Sequence, residues 1–483
     1  MKAVLLAAVA LWVVVQLCGA TFFRTDLQLQ KQFLQNKPTH AAKELWYTQK
    51  LDHFNKQDRR TWQQRYFVNE SFWNADLPGP IFLQIGGEAP ISGADASLLQ
   101  MANYGRRHGA LLVALEHRFY GQSQPLPSTE TANLVYLSSQ QALADAAEFI
   151  LWLKQQYNAV DSPVITFGCS YPGNLAAWFR LKYPHITLAS VASSAPVLAT
   201  LDFFQYLDVV EQSLNYFTGI QCEENIQTAT QTIQKMLQSA SGQSQLQKLF
   251  NTCTVPRVQE DISTFMSNLM GNWMGTVQYN DEGGNPVDIT YLCNILNSGS
   301  SKNDPVVAYA NISNMFLKAE GQSCMDISYK TQVAMLSNTT PAAEDNMRPW
   351  VYQTCTEFGY FQTTDSDAQP FGNLVPLSYS IELCEDAFGI SNFTPDINGT
   401  NAYYGGRHLD ANGPTNILFV NGNIDPWHSL GVTKNLSPSL RSILIDGTAH
   451  CANVLPSSPN DPPSLVLARK KIAAQIDEWL SNA

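Results

Sequence analysis

The chain has 483 residues, 45% apolar and only 14% charged, which supports a sizeable core and excludes a disordered protein. That length exceeds the usual span of one domain, so one large domain with an insertion, or two domains, is expected. Twenty-nine Lys and Arg against 41 Asp and Glu leave a net charge of −12, which argues against a nucleic-acid partner and suits a secreted or lysosomal protein.

At the start, Lys2 precedes an apolar run from Ala3 to Val15, and Cys18-Gly19-Ala20 offers small residues for cleavage. Residues 1–20 read as a signal peptide, too short for a comfortable membrane span. No later stretch of roughly 18 apolar residues follows, so no membrane span is expected in the mature chain.

From residue 44 to 200 strand and helix signals alternate. Ile81–Ile85, Ala110–Leu115 and Val164–Phe167 are short apolar runs bounded by glycine or proline, with a helical pattern from Ser138 to Tyr157 before the last. Leu188–Ala192 is another strand candidate, and the rhythm implies a mostly parallel sheet covered on both faces. From 201 to 404 the chain turns rich in Gln, Ser, Asn and Thr with helical spacing. This stretch holds Cys222, Cys253, Cys293, Cys324, Cys355 and Cys384, where disulfides are expected in an oxidising compartment. Six cysteines allow fifteen pairings, among which composition does not choose. From 405 to 483 the strand pattern returns at Asn416–Val420 and Ser442–Ile445, and Ser464–Leu480 closes as an amphipathic helix. One α/β domain interrupted by a helical, disulfide-stapled cap is the simplest organisation.

Six N-x-[ST] sequons, at Asn69, Asn311, Asn338, Asn392, Asn398 and Asn435, point to glycosylation of several in a secreted chain. Neither a C-x-x-C pair nor a His-x-x-x-His cluster is present, so a zinc site is not expected and no cofactor is called for.

The chemistry gathers around "PVITFGCSYPGNLAAW", a strand running through Ser170 into a helix. An α/β hydrolase places its nucleophile at such a junction, with the acid later in the chain and the histidine last. Ser170, Asp425 in "FVNGNIDPWHS" and His450 in "IDGTAHCAN" follow that order, the last two just past a predicted strand. The fold class is therefore α/β, of α/β-hydrolase type with an inserted cap. His450 would take the Ser170 proton, and Asp425 would hold the ring in the right tautomer. The Tyr171 N–H is one expected oxyanion donor, and Gly87 in the "IGGEAP" loop is the second. His428 lies three residues from Asp425, poorly placed to partner it; His117 and His185 read as structural. Cys169 precedes the nucleophile and Cys451 follows the base. Their state, free or bonded to each other, is open, and the Cys169 side chain is expected to point into the packing beneath the turn. Pro172 breaks the strict G-x-S-x-G pattern but falls in a first helical turn, where its missing N–H is spare.

"FGCSYPGNLAAWFRLKYPH", "EHRFYGQSQP", "NGNIDPWHSLGV" and "GTAHCANV", with "LDHF" near the start, resemble the serine peptidase family of prolylcarboxypeptidase and dipeptidyl peptidase II, within it the thymus-specific serine protease type. The resemblance runs from about Trp46 to the C-terminus. It implies hydrolysis of peptides near chain ends, typically after proline, and assigns nucleophile, acid and base to Ser170, Asp425 and His450. It also implies that Trp427 lines a proline pocket, and the disulfides 222–293, 253–324 and 355–384. Two departures bear on substrate: Asn174 stands where prolylcarboxypeptidase-like members carry methionine, and Cys451 where they carry a second histidine. Glu88 is a candidate for binding a substrate amine, while Glu116 is expected to pair with Arg118.

The partners expected are peptides, with homodimer assembly left open. An esterase or lipase on the same fold would favour a broad apolar lid, whereas residues 201–404 are polar and glutamine-rich. A non-catalytic binding protein would favour loss of a triad residue, and all three candidates are present.

Overall fold

A computed structural model of the chain describes residues 42–280, 287–298, 304–343, 347–390, 394–413 and 415–483; the segment 1–20 and Asn392 lie outside them. The described residues fall into an α/β unit and a helical unit.

In the α/β unit, eight strands form one sheet: β1 (Lys43–Lys50), β2 (Thr61–Asn69), β3 (Ile81–Ile85), β4 (Leu111–Leu115), β5 (Val164–Cys169), β6 (Ala189–Ser193), β7 (Ile417–Gly422) and β8 (Leu440–Ile445). Their spatial order is β1-β2-β4-β3-β5-β6-β7-β8. Only β2 is reversed, being antiparallel to both neighbours, while every other pair is parallel. This is the α/β-hydrolase fold.

The central strands are buried on both faces, which is why they read as unbroken apolar runs such as "LLVAL". Phe82, Leu112, Ile165, Val191, Leu418 and Val420 form the core with Met101 of α1 (Gln100–His108) and with Ile472, Ile476 and Trp479 near the C-terminus. Each such side chain stabilises the fold by about 1.5–3 kcal/mol.

Strands β1 and β2 carry no such signal because they bury polar groups that satisfy one another. Gln49 Nε2 donates to Gln64 Oε1 and to the Asp145 carbonyl, both at 3.0 Å, and Gln64 Nε2 donates to the Glu116 carbonyl at 2.7 Å. The expected Glu116–Arg118 pair is corrected here. Glu116 pairs with Arg65 at 2.5 Å, whereas Arg118 donates to both Asp145 oxygens at 2.7 and 2.6 Å. Asp145 comes from α2 (Ser139–Gln156), whose start is capped by Ser138.

The helical unit comprises Asp202–Asn338 and Tyr360–Phe393. Its disulfide Cys222–Cys293 links the helices Ile220–Leu237 and Ile289–Asn297, and Cys253–Cys324 links two loops that also meet through the Cys253 N–H and the Met325 carbonyl at 2.8 Å. Cys355 and Cys384 are also disulfide-bonded. Composition sets the insertion at 201–404, but Thr339–Gly359 and the chain from Thr394 belong to the α/β unit. Hydrogen bonds explain the return: the Thr129 N–H donates to the Thr339 carbonyl, and Glu357 takes the Ser139 N–H on both oxygens at 3.0 and 3.1 Å. Burial raises the Glu357 carboxyl to about 7.

Candidate active site

Three loops leave the carboxyl ends of β5, β7 and β8, and each carries one of the candidate triad residues. Ser170 sits between β5 and α3 (Tyr171–Lys182) with φ 65° and ψ −133°, a conformation that a residue with a Cβ rarely adopts. Its N–H donates to the Ser193 carbonyl at 3.0 Å, and its carbonyl accepts the Asn174 N–H at 3.1 Å. The tightness of the turn explains Gly168, where a Cβ would come 2.0 Å from the Pro172 carbonyl oxygen. Pro172 occupies the first turn of α3, where an N–H has no intrahelical use.

The loop after β3 presses on the same turn, since a Cβ on Gly87 would lie 2.3 Å from Pro172 Cγ. Gly87 thus abuts Pro172, the residue after Tyr171. Tyr171 is locked from behind. Its hydroxyl lies 3.0 Å from His117 Nε2 and accepts from Gln353 Nε2 at 3.0 Å. His117 Nδ1 lies 2.7 Å from the Arg118 carbonyl, which only accepts. The proton is therefore on Nδ1, and Nε2 receives the tyrosine's hydrogen. Burial lowers the His117 pKa to about 4, which keeps it neutral, and raises that of the Tyr171 phenol.

Asp425 begins the short helical turn Pro426–Leu430, and its Oδ1 accepts the Trp427 N–H at 3.0 Å. Its other oxygen, Oδ2, lies 2.9 Å from His450 Nδ1, with Asp425 0% and His450 2% exposed. A carboxylate only accepts, so Nδ1 carries the proton and Nε2 of the neutral ring keeps its lone pair. That is the tautomer a general base requires. His428 meets only the backbone carbonyl of Asp425, at 2.6 Å, through its Nδ1. The Trp427 ring is buried, with its centroid 6.4 Å from that of His450.

Cys169 and Cys451 are bonded to each other. Cys169 is half-buried and cross-linked, a correction to the expectation of a small hydrophobe packed beneath the turn. The two sulfurs and a His450 ring nitrogen lie within 4.8 Å of one another, but bonded sulfurs offer no thiolate to a metal. The His450 loop is also fastened to the end of β6: the Cys451 N–H donates to Ser194 Oγ at 3.0 Å and Asn453 Nδ2 to Ser193 Oγ at 2.8 Å. Ser193, Ser194, Asn453 and Gln353 escape sequence reasoning because their work depends on partners about 180 to 260 residues away. The one available signal is the pair of cysteines left over outside the central six.

Asn174 is fully buried and donates to the Pro196 carbonyl at 3.2 Å, which gives it a holding task behind the turn. Glu88 is buried; burial of the Tyr120 phenol, and after it the Glu88 charge, raises the Tyr120 pKa well above its usual value. Asn69, one of the expected glycan acceptors, is 5% exposed, and its Nδ2 donates to the Ala96 carbonyl and Ser97 Oγ at 3.3 Å each. Asn311, Asn338, Asn398 and Asn435 are exposed. No helix among the described residues is long and apolar enough to cross a membrane.

A family model described as Serine carboxypeptidase S28 matches residues 49–472. The chain is 38% identical over 460 residues to "Thymus-specific serine protease" of Mus musculus, covering 93% of this chain and 90% of that protein. Against the Homo sapiens protein of that name it is 39% identical over 449 residues, covering 91% and 87%. "Lysosomal Pro-X carboxypeptidase" of Homo sapiens is 30% identical over 453 residues, covering 91% of this chain and 88% of that protein.

Proposed function

Since the chain belongs to the serine carboxypeptidase S28 family and is a serine-type peptidase, we propose that Ser170, Asp425 and His450 are its catalytic triad and that it cuts peptides next to proline near a chain end. His450 Nε2 removes the Ser170 hydroxyl proton as Oγ attacks the scissile carbonyl. The tetrahedral oxyanion is held by the Tyr171 and Gly87 N–H groups. His450 then protonates the leaving amine, and the acyl-enzyme is hydrolysed by water through the same two steps. Trp427 supplies an apolar wall suited to a proline ring. The name of the Pro-X relative supports the proline preference. The disulfides fit an oxidising, secretory compartment, and the protein acts outside the cell or in the endosome and lysosome.

The observation that carries the reading is the buried Asp425–His450 pair joined by the neighbouring disulfide to a serine in a positive-φ elbow. A fluorophosphonate probe is expected to label the protein, and Ser170→Ala to abolish labelling; labelling that survives the substitution refutes the triad. Mass spectrometry of a peptide library digested between pH 4 and 8 separates loss of a C-terminal residue, loss of an N-terminal dipeptide and internal cleavage. Cuts without proline bias refute the substrate class.

A further inference from the structure

Strands β5 and β8 are not neighbours in the sheet, since β6 and β7 lie between them. The backbone ladder therefore links the serine after β5 to the histidine after β8 only through two intervening strands. On the β7 side the His450 loop is held by the Asp425 carboxylate and by the Ile424 N–H, which donates to the Thr448 carbonyl at 3.1 Å. On the β6 side it is held by the two serine hydroxyls, Ser193 and Ser194, through single hydrogen bonds. Its tie to β5 is covalent. The Cys169–Cys451 bond joins the residue before Ser170 to the residue after His450 across 282 positions of sequence.

We propose that this disulfide is a positioning element of the triad: it keeps His450 in register with Ser170, and its reduction by a small dithiol turns hydrolysis off reversibly. The proposal rests on the triad reading above. Two further observations support it. Cys451 is held at φ 63°, in the left-handed region that residues with a Cβ avoid, a conformation the tether helps to hold. The sulfurs also stand within 4.8 Å of a His450 ring nitrogen, so the cystine walls the imidazole as well as tying its loop. Both cysteines are half-buried, more open than Cys222 and Cys293, which are 0% and 1% exposed, but less open than Cys253, which is exposed, so alkylation must be mapped residue by residue.

In the reductive step a dithiol's thiolate attacks one sulfur and the other leaves as thiolate. The reagent's second thiol then displaces the mixed disulfide and closes a cyclic disulfide. The protein gains two electrons and two protons as two thiols, and the reagent loses both. Oxidised glutathione reverses the exchange.

The test compares wild type, Cys169→Ser/Cys451→Ser and Ser170→Ala in the full-length protein, on a peptide substrate. A misplacement of about 1 Å at a reacting group costs on the order of 10²-fold, so kcat of the double variant is expected to fall ~10- to 100-fold. Its KM should stay within about twofold, and because a loss of folded protein would also lower apparent kcat at constant KM, kcat is referred to the folded fraction measured by circular dichroism. Wild type treated with dithiothreitol should lose activity in step with alkylation of Cys169 and Cys451 and regain it with oxidised glutathione, while the double variant should not respond. A double variant with kcat within twofold of wild type overturns the proposal, as does inactivation that follows alkylation of other cysteines. If the double variant does not fold, the dithiothreitol titration of native protein decides alone. Activity that persists in Ser170→Ala sinks the triad reading, whereas an inert Ser170→Ala beside a fully active double variant sinks the tether only.

Discussion

Replacing Asp425 by asparagine exchanges one carboxylate oxygen for an NH2 and alters almost nothing of the side chain's shape, yet the structure dictates a large effect. Oδ1 receives the Trp427 backbone N–H, which can only donate, while Oδ2 faces His450 Nδ1. The substituted amide keeps its carbonyl on the Trp427 N–H and so turns its NH2 toward Nδ1. Two N–H groups cannot face one another, so Nδ1 gives up its proton and Nε2 takes it. The ring then presents a hydrogen where a lone pair is needed to accept from Ser170, and the carboxylate that stabilises the imidazolium is gone. A triad locked in the wrong tautomer loses about 10⁴ in kcat, or roughly 5.4 kcal/mol at 1.36 kcal/mol per decade. Steady-state kinetics of Asp425→Asn on a peptide, with fluorophosphonate labelling rates in parallel, give the measurement, and calorimetry checks that Tm is nearly unchanged. A loss below tenfold, or a loss explained by unfolding, refutes the reasoning that Asp425 acts by fixing the tautomer.

Three further outcomes follow from buried groups. Tyr171→Phe leaves His117 Nε2 and Gln353 Nε2 without the hydroxyl they share. That is expected to cost about 1–3 kcal/mol in chemical denaturation, and a change under a few tenths refutes the network. Glu357 and His117 act on stability in opposite directions. With its carboxyl raised to about 7, Glu357 keeps a proton in the folded state that the unfolded chain loses above about 4.5, so its contribution is present at low pH and lost as pH rises to 7. His117, lowered from 6.5 to about 4, contributes above 6.5 and loses that contribution as pH falls to 4. Glu357 is worth about 3 kcal/mol, so Glu357→Gln is expected to match wild type near pH 7 and to fall progressively behind it as pH drops toward 4.5. Parallel Tm profiles of the two proteins refute this. Mass spectrometry of the protein expressed through a host's secretory pathway should find glycans among Asn311, Asn338, Asn398 and Asn435 and none at Asn69; a glycan on Asn69 refutes the fold of β2 around it.

What is legible in the sequence is what short-range patterns encode. Strands buried on both faces, such as Ile81–Ile85 and Leu111–Leu115, show themselves as unbroken apolar runs, and the helix after Ser138 shows its cap. Ser170 and Asp425 are readable because each follows a strand of that kind, while His450 follows the edge strand β8, whose short apolar run is partly exposed. Strands β1 and β2 are not readable, because Gln49, Gln64 and Arg65 are buried through partners that only the fold supplies. The same blindness misassigns Glu116, since Arg118 is two residues away in sequence and Arg65 is adjacent only in space.

The site itself divides along the same line. Residue types that do chemistry can be named from local motifs, whereas the atoms that aim them are scattered. Ser193 offers its carbonyl to the Ser170 N–H and its hydroxyl to Asn453, so one residue at the end of β6 serves both the Ser170 turn and the His450 loop. Ser194, at φ 44°, adds its hydroxyl to the Cys451 N–H. Nothing in "VASSAP" distinguishes these serines from turn formers, because a serine at a strand end is ordinarily just that. Their weight comes from where β6 lies, between the strand that delivers Ser170 and the strand that delivers Asp425. A parallel sheet puts its carboxyl ends on one edge, so the small polar residues of the middle strand become the point at which loops from far-apart segments are anchored. The Cys169–Cys451 bond spans that same anchor, joining the loops on either side of it.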